Sequence, residues 1–159
     1  MRVKTLSVGR LRGDLAAAVE DYERRVARYF AFEAIVAREV KHRGSGDDER
    51  VRAEEGDRLL QRLPDGWELI ALHRQGDSWT SAGLARHLQD AALRAAPGSC
   101  FAIGGAYGLS PEVLARAEHH LSLSAFTLPH DLARLVLAEQ LYRTGTIIRG
   151  EPYHKAVTR

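Results

Sequence analysis

A glycine-rich segment follows one of the apolar runs of the chain. The run at residues 100–103 is typical of a buried strand, and it continues into Gly104-Gly105-Ala106-Tyr107-Gly108. Glycine lets the backbone approach a small ligand closely, but a tight turn would require the same residues. The spacing differs from the G-x-G-x-x-G of dinucleotide-binding folds, and no G-x-x-x-x-G-K-[ST] phosphate loop is present. Two interpretations therefore remain open, a turn and a ligand loop.

A second candidate ligand segment spans residues 123–128 and ends at Pro129. Its small and hydroxyl-bearing residues leave backbone amide and carbonyl groups available to an adenine-sized ring. Alternatively, the segment only joins a strand to a helix that begins at the proline. If both candidate segments follow parallel strands, they lie at the same edge of a sheet as Leu72, which ends another apolar run.

The histidines form no recognisable metal motif. His119 and His120 are adjacent and would point to opposite faces of a strand, and neither His130 nor Cys100 adds a spacing used by zinc sites. We therefore expect no metal. The G-x-S-x-G turn of serine hydrolases is also missing. His130 stands at a helix start, where the helix dipole disfavours its protonated form, so it could accept a proton or simply pack.

The C-terminal segment combines an apolar helix with a basic, aromatic tail. The helix predicted at residues 129–148 is apolar on more than one face, which indicates cover by a second element or a second subunit. Glu139 and Arg143 have the i,i+4 spacing of a helical ion pair. The tail Tyr153-His154-Lys155 contains an aromatic ring, an imidazole and an ammonium group, which together could stack on a base and contact a phosphate.

Strand-like and helix-like segments alternate through most of the chain. Predicted strands occupy residues 3–8, 32–37, 67–72, 100–103 and 121–124, and predicted helices occupy about 14–29, 49–63, 81–95, 111–117 and 129–148. The alternation predicts one α/β domain with a mostly parallel sheet and helices on both faces. The polar segment 41–48 contains two glycines and is expected to be a mobile loop.

The amino-acid composition limits the classes of protein to which this chain can belong. The 159 residues are 45% hydrophobic, enough for one domain with a core. The net charge is only +2, but residues 1–43 hold ten Lys or Arg against six Asp or Glu, a basic bias that does not by itself establish nucleic-acid binding. A single cysteine excludes an internal disulfide framework. Apolar runs are shorter than the roughly 18 residues of a membrane helix, and no signal peptide is recognisable, so a cytoplasmic protein is expected.

Three motifs within residues 101–155 occur together. They read I-G-G-x-x-G-L-S-P-E, then L-S-L-S-x-x-T-L-P-H-x-L-x-R-x-x-L-x-E-Q-L-Y-R, then P-Y-H-K. In this combination the chain resembles the RlmH-type methyltransferases of the SPOUT class. Weaker agreement covers the rest of the chain, including Glu55-Gly56 and residues 67–72 with Gly76.

The resemblance implies a fold and an activity. The fold would be a single SPOUT domain over residues 1–159, with about residues 70–155 threaded into a trefoil knot. The activity would be that of a homodimer that transfers a methyl group from S-adenosylmethionine to N3 of a pseudouridine, in a stem-loop of 23S rRNA on the assembled ribosome. Two alternatives are a SPOUT methyltransferase acting on tRNA and a non-catalytic RNA-binding module that keeps the fold.

Motif matching also implies site residues. The methyl donor would be held by Leu72, Gly104, Leu123, Ser124, Ala125, Phe126, Thr127 and Leu128. The RNA would be contacted by Arg143, Tyr153, His154 and Lys155, although Arg143 could instead face a partner subunit. The acceptor nitrogen must lose a proton, and the candidate bases are His154 and His130. His154 is preferred because the tail can reach the substrate.

Two positions depart from the family pattern. His73 stands after Leu72 where aspartate is common, and Asp77 stands after Gly76 where lysine is frequent. The charged contacts of that loop are therefore not carried over to this chain, whereas the glycine and L-S-L-S motifs are unaffected.

Overall fold

The computed structural model describes residues 1–153, which form an α/β domain around a five-stranded sheet. The strands are β1 (Arg2–Val8), β2 (Ala31–Ala37), β3 (Glu68–Ser78), β4 (Ser99–Ile103) and β5 (His119–Ser122). The helices are α1 (Asp14–Val26), α2 (Asp48–Leu60), α3 (Ser81–Leu93), α4 (Pro111–Arg116) and α5 (His130–Ile148). The strand order is β2-β1-β4-β3-β5 and every pair is parallel. The predicted class and the predicted parallel sheet are confirmed.

The helices cover both faces of the sheet, as the alternation predicted. Side chains of β4 show the division, because Phe101 and Ile103 join one core cluster whereas Cys100 and Ala102 join the other. The first cluster packs against α1, α3 and α5, and the second against α2 and α4. Strand residues that alternate between two apolar cores are the usual signature of a sheet buried on both sides.

Helix α5 lies against both α1 and α3. Its residues 131–148 are all buried or half-buried within this one subunit. The wide apolar surface predicted for this helix is therefore largely covered by two neighbouring helices, and its width alone does not require a second subunit.

The third strand continues past Leu72, where the sequence interpretation ended it. Leu72 pairs with Leu121, the chain then makes an excursion, and pairing resumes with Asp77 opposite the same Leu121. Gly76 lies in this irregularity, and a Cβ atom on it would be 2.6 Å from the carbonyl carbon of His120. Gly76 therefore permits a close approach of two strands and does not terminate one.

The fifth strand begins and ends two residues earlier than predicted. The hydroxyl of Ser122 donates to the carbonyl of Ser124 at 3.0 Å, and the amide of Phe126 donates to the hydroxyl of Ser124 at 3.0 Å. These local bonds replace the strand ladder and turn the chain away from the sheet. Ser124 thus belongs to the loop that follows β5.

The segment predicted to be a mobile loop, residues 41–48, is held at its end by Asp47. That carboxylate accepts from the amide of Arg43 at 2.7 Å and from the guanidinium of Arg50 at 2.6 Å. The hydrogen bond from Arg50 holds the pKa of Asp47 well below its usual range. Helix α2 begins directly after it, at Asp48.

Within residues 1–153, none of the helices combines the length and the apolar character needed to span a membrane.

Candidate active site

A pocket of about 220 Å³ opens at the carboxyl ends of β3, β4 and β5. Its walls are the strand ends, the loops that follow them and the first turn of α5. The lining residues are Leu72, His73, Arg74, Ile103, Gly104, Gly105, Gly108, Leu109, Leu121, Leu123, Ser124, Phe126, Thr127, Leu128, His130 and Ala133. Of the eight residues predicted to hold a donor, seven lie here and Ala125 does not. Their role in binding remains a prediction.

The glycine segment after β4 closes on itself at this pocket. The amide of Gly108 donates to the carbonyl of Gly105 at 3.1 Å, and Gly108 has a positive φ of 78°. A Cβ atom on Gly104 would lie 2.6 Å from the carbonyl oxygen of Gly108 and 2.7 Å from the amide nitrogen of Leu109. A side chain at Gly104 would therefore force the loop to move.

Glu55, on α2, packs beside the glycine loop. One carboxylate oxygen accepts from the amide of Val40 at 2.9 Å, and the other would be 2.5 Å from a Cβ atom on Gly105. The residue is only 4% exposed, and burial raises its pKa. Among residues 1–153, its second oxygen finds no hydrogen-bond partner. Glu55 therefore bonds the segment after β2 and lies beside the loop after β4.

The segment after β5 forms the opposite wall. Two serine hydroxyls shape it, through the Ser122 and Ser124 bonds described above. Leu123 and Leu128 contribute apolar surface to the pocket, while the ring of Phe126 is 82% exposed at its mouth. A pocket with apolar walls and a rim of backbone and hydroxyl groups is suited to a flat ring with polar edges.

His130 is the first residue of α5 and lines the pocket. Its Nε2 lies 2.9 Å from Oδ1 of Asp131. The pair lacks hydrogen-bond geometry, because this buried oxygen has no hydrogen-bond partner among residues 1–153. Of the two histidines proposed as bases, His130 is the one whose surroundings are known, since His154 lies outside the described residues.

The predicted RNA-contacting residues Arg143 and Tyr153 lie together, away from the lining of this pocket. Arg143 donates from Nε and Nη2 to one oxygen of Glu139 at 3.0 and 2.7 Å, so the predicted i,i+4 pair is present. The Tyr153 hydroxyl donates to the same oxygen at 3.1 Å, and the guanidinium lies 4.9 Å from the Tyr153 ring centroid. Burial, and then a hydrogen bond with Tyr22, raise the pKa of Tyr153. Lys155, like His154, is outside the described residues.

Several residues that line the pocket were not predicted from the sequence. Gly105 and Gly108 belong to the glycine motif after β4, and they could have been predicted because ligands bind at the carboxyl ends of parallel strands. His73 and Arg74 enter the pocket because β3 makes its excursion after Leu72. Nothing in the sequence pattern signals that excursion, and the sequence interpretation ended the strand at Leu72 with Gly76 beyond it.

The opposite, amino edge of the sheet contains a cluster of polar side chains. Nε2 of His87 and Nε2 of His119 lie 2.9 and 3.4 Å from Oε1 of Glu68, and the hydroxyl of Ser99 donates to Oε2 at 2.7 Å. His120 points away, to the carbonyl of Leu114, so the predicted opposite directions of His119 and His120 are confirmed.

The same cluster bears on the expectation that no metal binds. Ligand atoms of Glu68, His87 and His119 all lie within 4.8 Å of one another, a spacing compatible with a cation. Spacing along the sequence does not group Glu68 with His87 and His119, because these residues come from elements far apart in the chain. The absence of a metal remains a prediction.

Comparisons with known proteins are consistent along the whole chain. A family model described as "Predicted SPOUT methyltransferase" matches residues 1–154. A protein of Gemmatimonas aurantiaca named ribosomal RNA large subunit methyltransferase H is 48% identical over 156 residues, which cover 98% of this chain and all of that protein. A protein of the same name from Limosilactobacillus reuteri is 38% identical over 159 residues, with coverage of 98% and 100%.

Among solved structures, one described as the crystal structure of an hypothetical protein aligns with a TM-score of 0.53. The alignment covers 92% of this chain and 68% of that chain at 14% identity, so it supports the fold alone. The family resemblance inferred from the three C-terminal motifs is confirmed by the family match and by the full-length relatives. This chain belongs to the SPOUT methyltransferase family.

Proposed function

We propose that this protein transfers a methyl group from S-adenosylmethionine to N3 of a pseudouridine in a stem-loop of 23S rRNA. Membership of a methyltransferase family supports the reaction class, and full-length relatives named ribosomal RNA large subunit methyltransferase H support an rRNA substrate. One observation carries the proposal: Leu72, Gly104 and the segment after β5 converge on one pocket from three neighbouring strands.

The chemistry of the pocket fits the proposed donor. Its volume of about 220 Å³ is below the ~300–1,000 Å³ of pockets that enclose a whole drug-sized ligand, so it would take the adenosine part and leave the rest at the mouth. Leu72, Leu121 and Leu123 would face the adenine ring, and the loop rim would hydrogen-bond its edge. When bound, S-adenosylmethionine supplies an electrophilic methyl group on a sulfonium.

The residues of this chain would act mainly by alignment. Holding the acceptor nitrogen in line with the methyl group and excluding water can lower a barrier by about 7 kcal/mol or more. The acceptor N–H must also lose its proton. His130, beside Asp131 at the pocket, and His154 in the tail are the two proposed acceptors of that proton.

Single substitutions separate the two bases. We expect the base to be the residue whose change to Gln lowers turnover by about 100-fold or more, as general-base catalysis contributes about 10²–10⁴-fold. The test measures the rate of single-turnover methylation by the His130→Gln and His154→Gln proteins. Calorimetry measures the donor affinity of each variant. Turnover kept in both variants would remove both histidines from the mechanism.

Three finer features complete the proposal. The active unit is a homodimer, the C-terminal part from about residue 70 onward is threaded into a trefoil knot, and the substrate is the assembled ribosome. A further component at the site, either a partner subunit or the RNA, would cover the exposed ring of Phe126 at the pocket mouth. In that assembly Arg143, Tyr153, His154 and Lys155 contact the rRNA or the partner. Light scattering of the purified protein tests the dimer.

The decisive experiment compares ribosomal RNA from cells with and without the gene by nucleoside mass spectrometry. We expect one methylated pseudouridine to disappear from 23S rRNA and to return with the wild-type gene. In vitro, assembled ribosomes should accept the methyl group whereas naked 23S rRNA and tRNA should not. Methylation of tRNA would favour the alternative substrate, and a protein that binds no S-adenosylmethionine would favour a non-catalytic module.

A further inference from the structure

A second, larger concavity lies beside the candidate active site. It has a volume of about 980 Å³ and lies where β1 and β2 end, between Gly9 and the segment that runs from Ala37 to Arg43. All five strands are parallel, so this groove and the pocket occupy the same edge of the sheet. Strand β1 pairs directly with β4, whose following loop lines the pocket.

The groove is strongly basic. Seven of its lining residues are Lys or Arg, and two are Glu. Five of the seven, Arg10, Arg12, Arg38, Lys41 and Arg43, are exposed. Within residues 1–153, the side chains of these five form no ion pair and no hydrogen bond. Their charges are therefore available to an anionic partner.

The other two cations build the groove. Arg50 contacts Asp47 and Glu54 at 2.6 Å each, and Arg58 donates from Nη1 to the carbonyls of Arg38 and Glu39 at 2.8 and 3.1 Å. These bonds hold the backbone that carries the exposed cations against α2. The positive surface thus rests on a fixed support.

An aromatic pair joins the groove to the pocket. The rings of His42 and Tyr107 stack with centroids 5.4 Å apart and an interplanar angle of 23°. His42 lines the groove, whereas Tyr107 belongs to the glycine loop that lines the pocket, and its ring is 37% exposed. Nucleic-acid-binding surfaces commonly combine cations for the phosphates with rings on which bases stack.

From this arrangement we infer that the groove binds the phosphate backbone of the substrate RNA, with the His42–Tyr107 pair contacting a base between the groove and the pocket. The inference rests on the proposed RNA substrate and adds to it a contact surface in the N-terminal half of the chain. RNA is favoured over a free anion because five separate cations along a long groove match a repeating phosphate chain.

The test measures binding of a fluorescein-labelled RNA stem-loop over a series of salt concentrations. The variant Arg38→Gln/Lys41→Gln removes two exposed groove charges. The control Arg86→Gln/Arg94→Gln removes two exposed charges on and just after α3. We expect the groove variant to bind about tenfold more weakly and to lose roughly 1.4–1.8 from the slope of log Kd against log salt, since each phosphate contact contributes about 0.7–0.9. Its melting temperature and S-adenosylmethionine affinity should match the wild type.

A stacking variant provides a second readout. Tyr107→Leu should weaken RNA binding while leaving the salt slope unchanged, because stacking releases no counterions. An affinity and a slope in the groove variant equal to those of the control would overturn the groove inference, and wild-type methylation of ribosomes would still stand. A wild-type protein that binds no stem-loop RNA would overturn the groove inference alone, whereas failure to methylate assembled ribosomes would overturn the proposed function.

Discussion

The polar side chains at the two edges of the sheet differ in how completely they are hydrogen-bonded. At the amino edge, the Glu68 carboxylate contacts His87, His119 and Ser99, so its oxygens are used within the protein. At the carboxyl edge, a buried oxygen of Glu55 finds no partner among residues 1–153, and Phe126 is exposed. An unsatisfied buried polar atom reduces stability, and in a native structure such an atom calls for an explanation, which can be functional. From this comparison we expect the amino edge to stabilise the fold, and we expect the proposed donor site to lie at the carboxyl edge.

The largest effect is expected from Gly104→Ala at the carboxyl edge. The added Cβ atom would overlap the backbone of Gly108 and Leu109, so the loop must move. We expect donor affinity to fall at least tenfold and the free energy of unfolding to fall by about 1–3 kcal/mol. Calorimetry with S-adenosylmethionine and urea unfolding measure the two quantities.

Gly83→Ala is the matched control, because Gly83 does not line the pocket and its Cβ atom would meet only one atom, the hydroxyl oxygen of Thr80 at 3.2 Å. It should leave donor affinity unchanged. An unaltered donor affinity in Gly104→Ala as well would show that the glycine loop does not form the donor site.

The next effect is expected from Glu68→Gln at the amino edge. The change removes the charge that His87, His119 and Ser99 contact, and hydrogen bonds to charged groups contribute about 1.5–3 kcal/mol each. We expect a loss of about 1–3 kcal/mol in the free energy of unfolding, with donor affinity unchanged. A loss of donor affinity as large as that of Gly104→Ala would contradict the view that the amino edge has only a stabilising role.

A smaller effect, of opposite sign, is expected from Glu55→Gln. Burial raises the pKa of Glu55 above its ordinary value of 4.5, so the ionised carboxylate destabilises the folded state, and stability falls as the pH rises through the folded-state pKa. The variant should therefore be more stable than the wild type at pH 7, by up to about 1 kcal/mol. The difference should disappear below pH 4.5, where both states of the wild type bind the proton.

Urea unfolding over a range of pH checks this expectation. Glu54→Gln serves as the control, because that neighbouring carboxylate is half-exposed and paired with Arg50, so its loss should slightly destabilise the protein at pH 7. A Glu55→Gln protein that is less stable than the wild type at neutral pH would contradict the burial argument.

The smallest effect on stability is expected from Phe126→Ala. Its ring is 82% exposed, so the free energy of unfolding should change by less than about 0.5 kcal/mol. If a ring at the pocket mouth serves the assembled site, methylation of ribosomes should fall nonetheless. Equal methylation by variant and wild type would show that Phe126, like many exposed apolar residues, has no role in the reaction.

Much of the fold could be predicted from local pattern. The spacing of apolar residues and the Gly, Pro and Ser signals identified ten elements, because strand alternation and helix periodicity are properties of short segments. Leu72, Gly104 and residues 123–128 could be proposed because ligands bind at carboxyl strand ends and because their motifs resemble a known family. The boundaries of β3 and β5 were wrong, since a strand excursion and serine-to-backbone bonds depend on neighbouring strands.

The sequence by itself determined the class of fold, the likeness to a methyltransferase family and the edge of the sheet at which to seek a site. Only the tertiary structure decided which groups meet. It placed Glu55 beside the glycine loop and Arg74 in the lining of the pocket. It brought Glu68 into contact with His87 and His119. It also gathered five exposed cations from two strand ends into one groove. These contacts form between segments distant in the chain, where no local periodicity records them, and they are set by sheet order and helix packing.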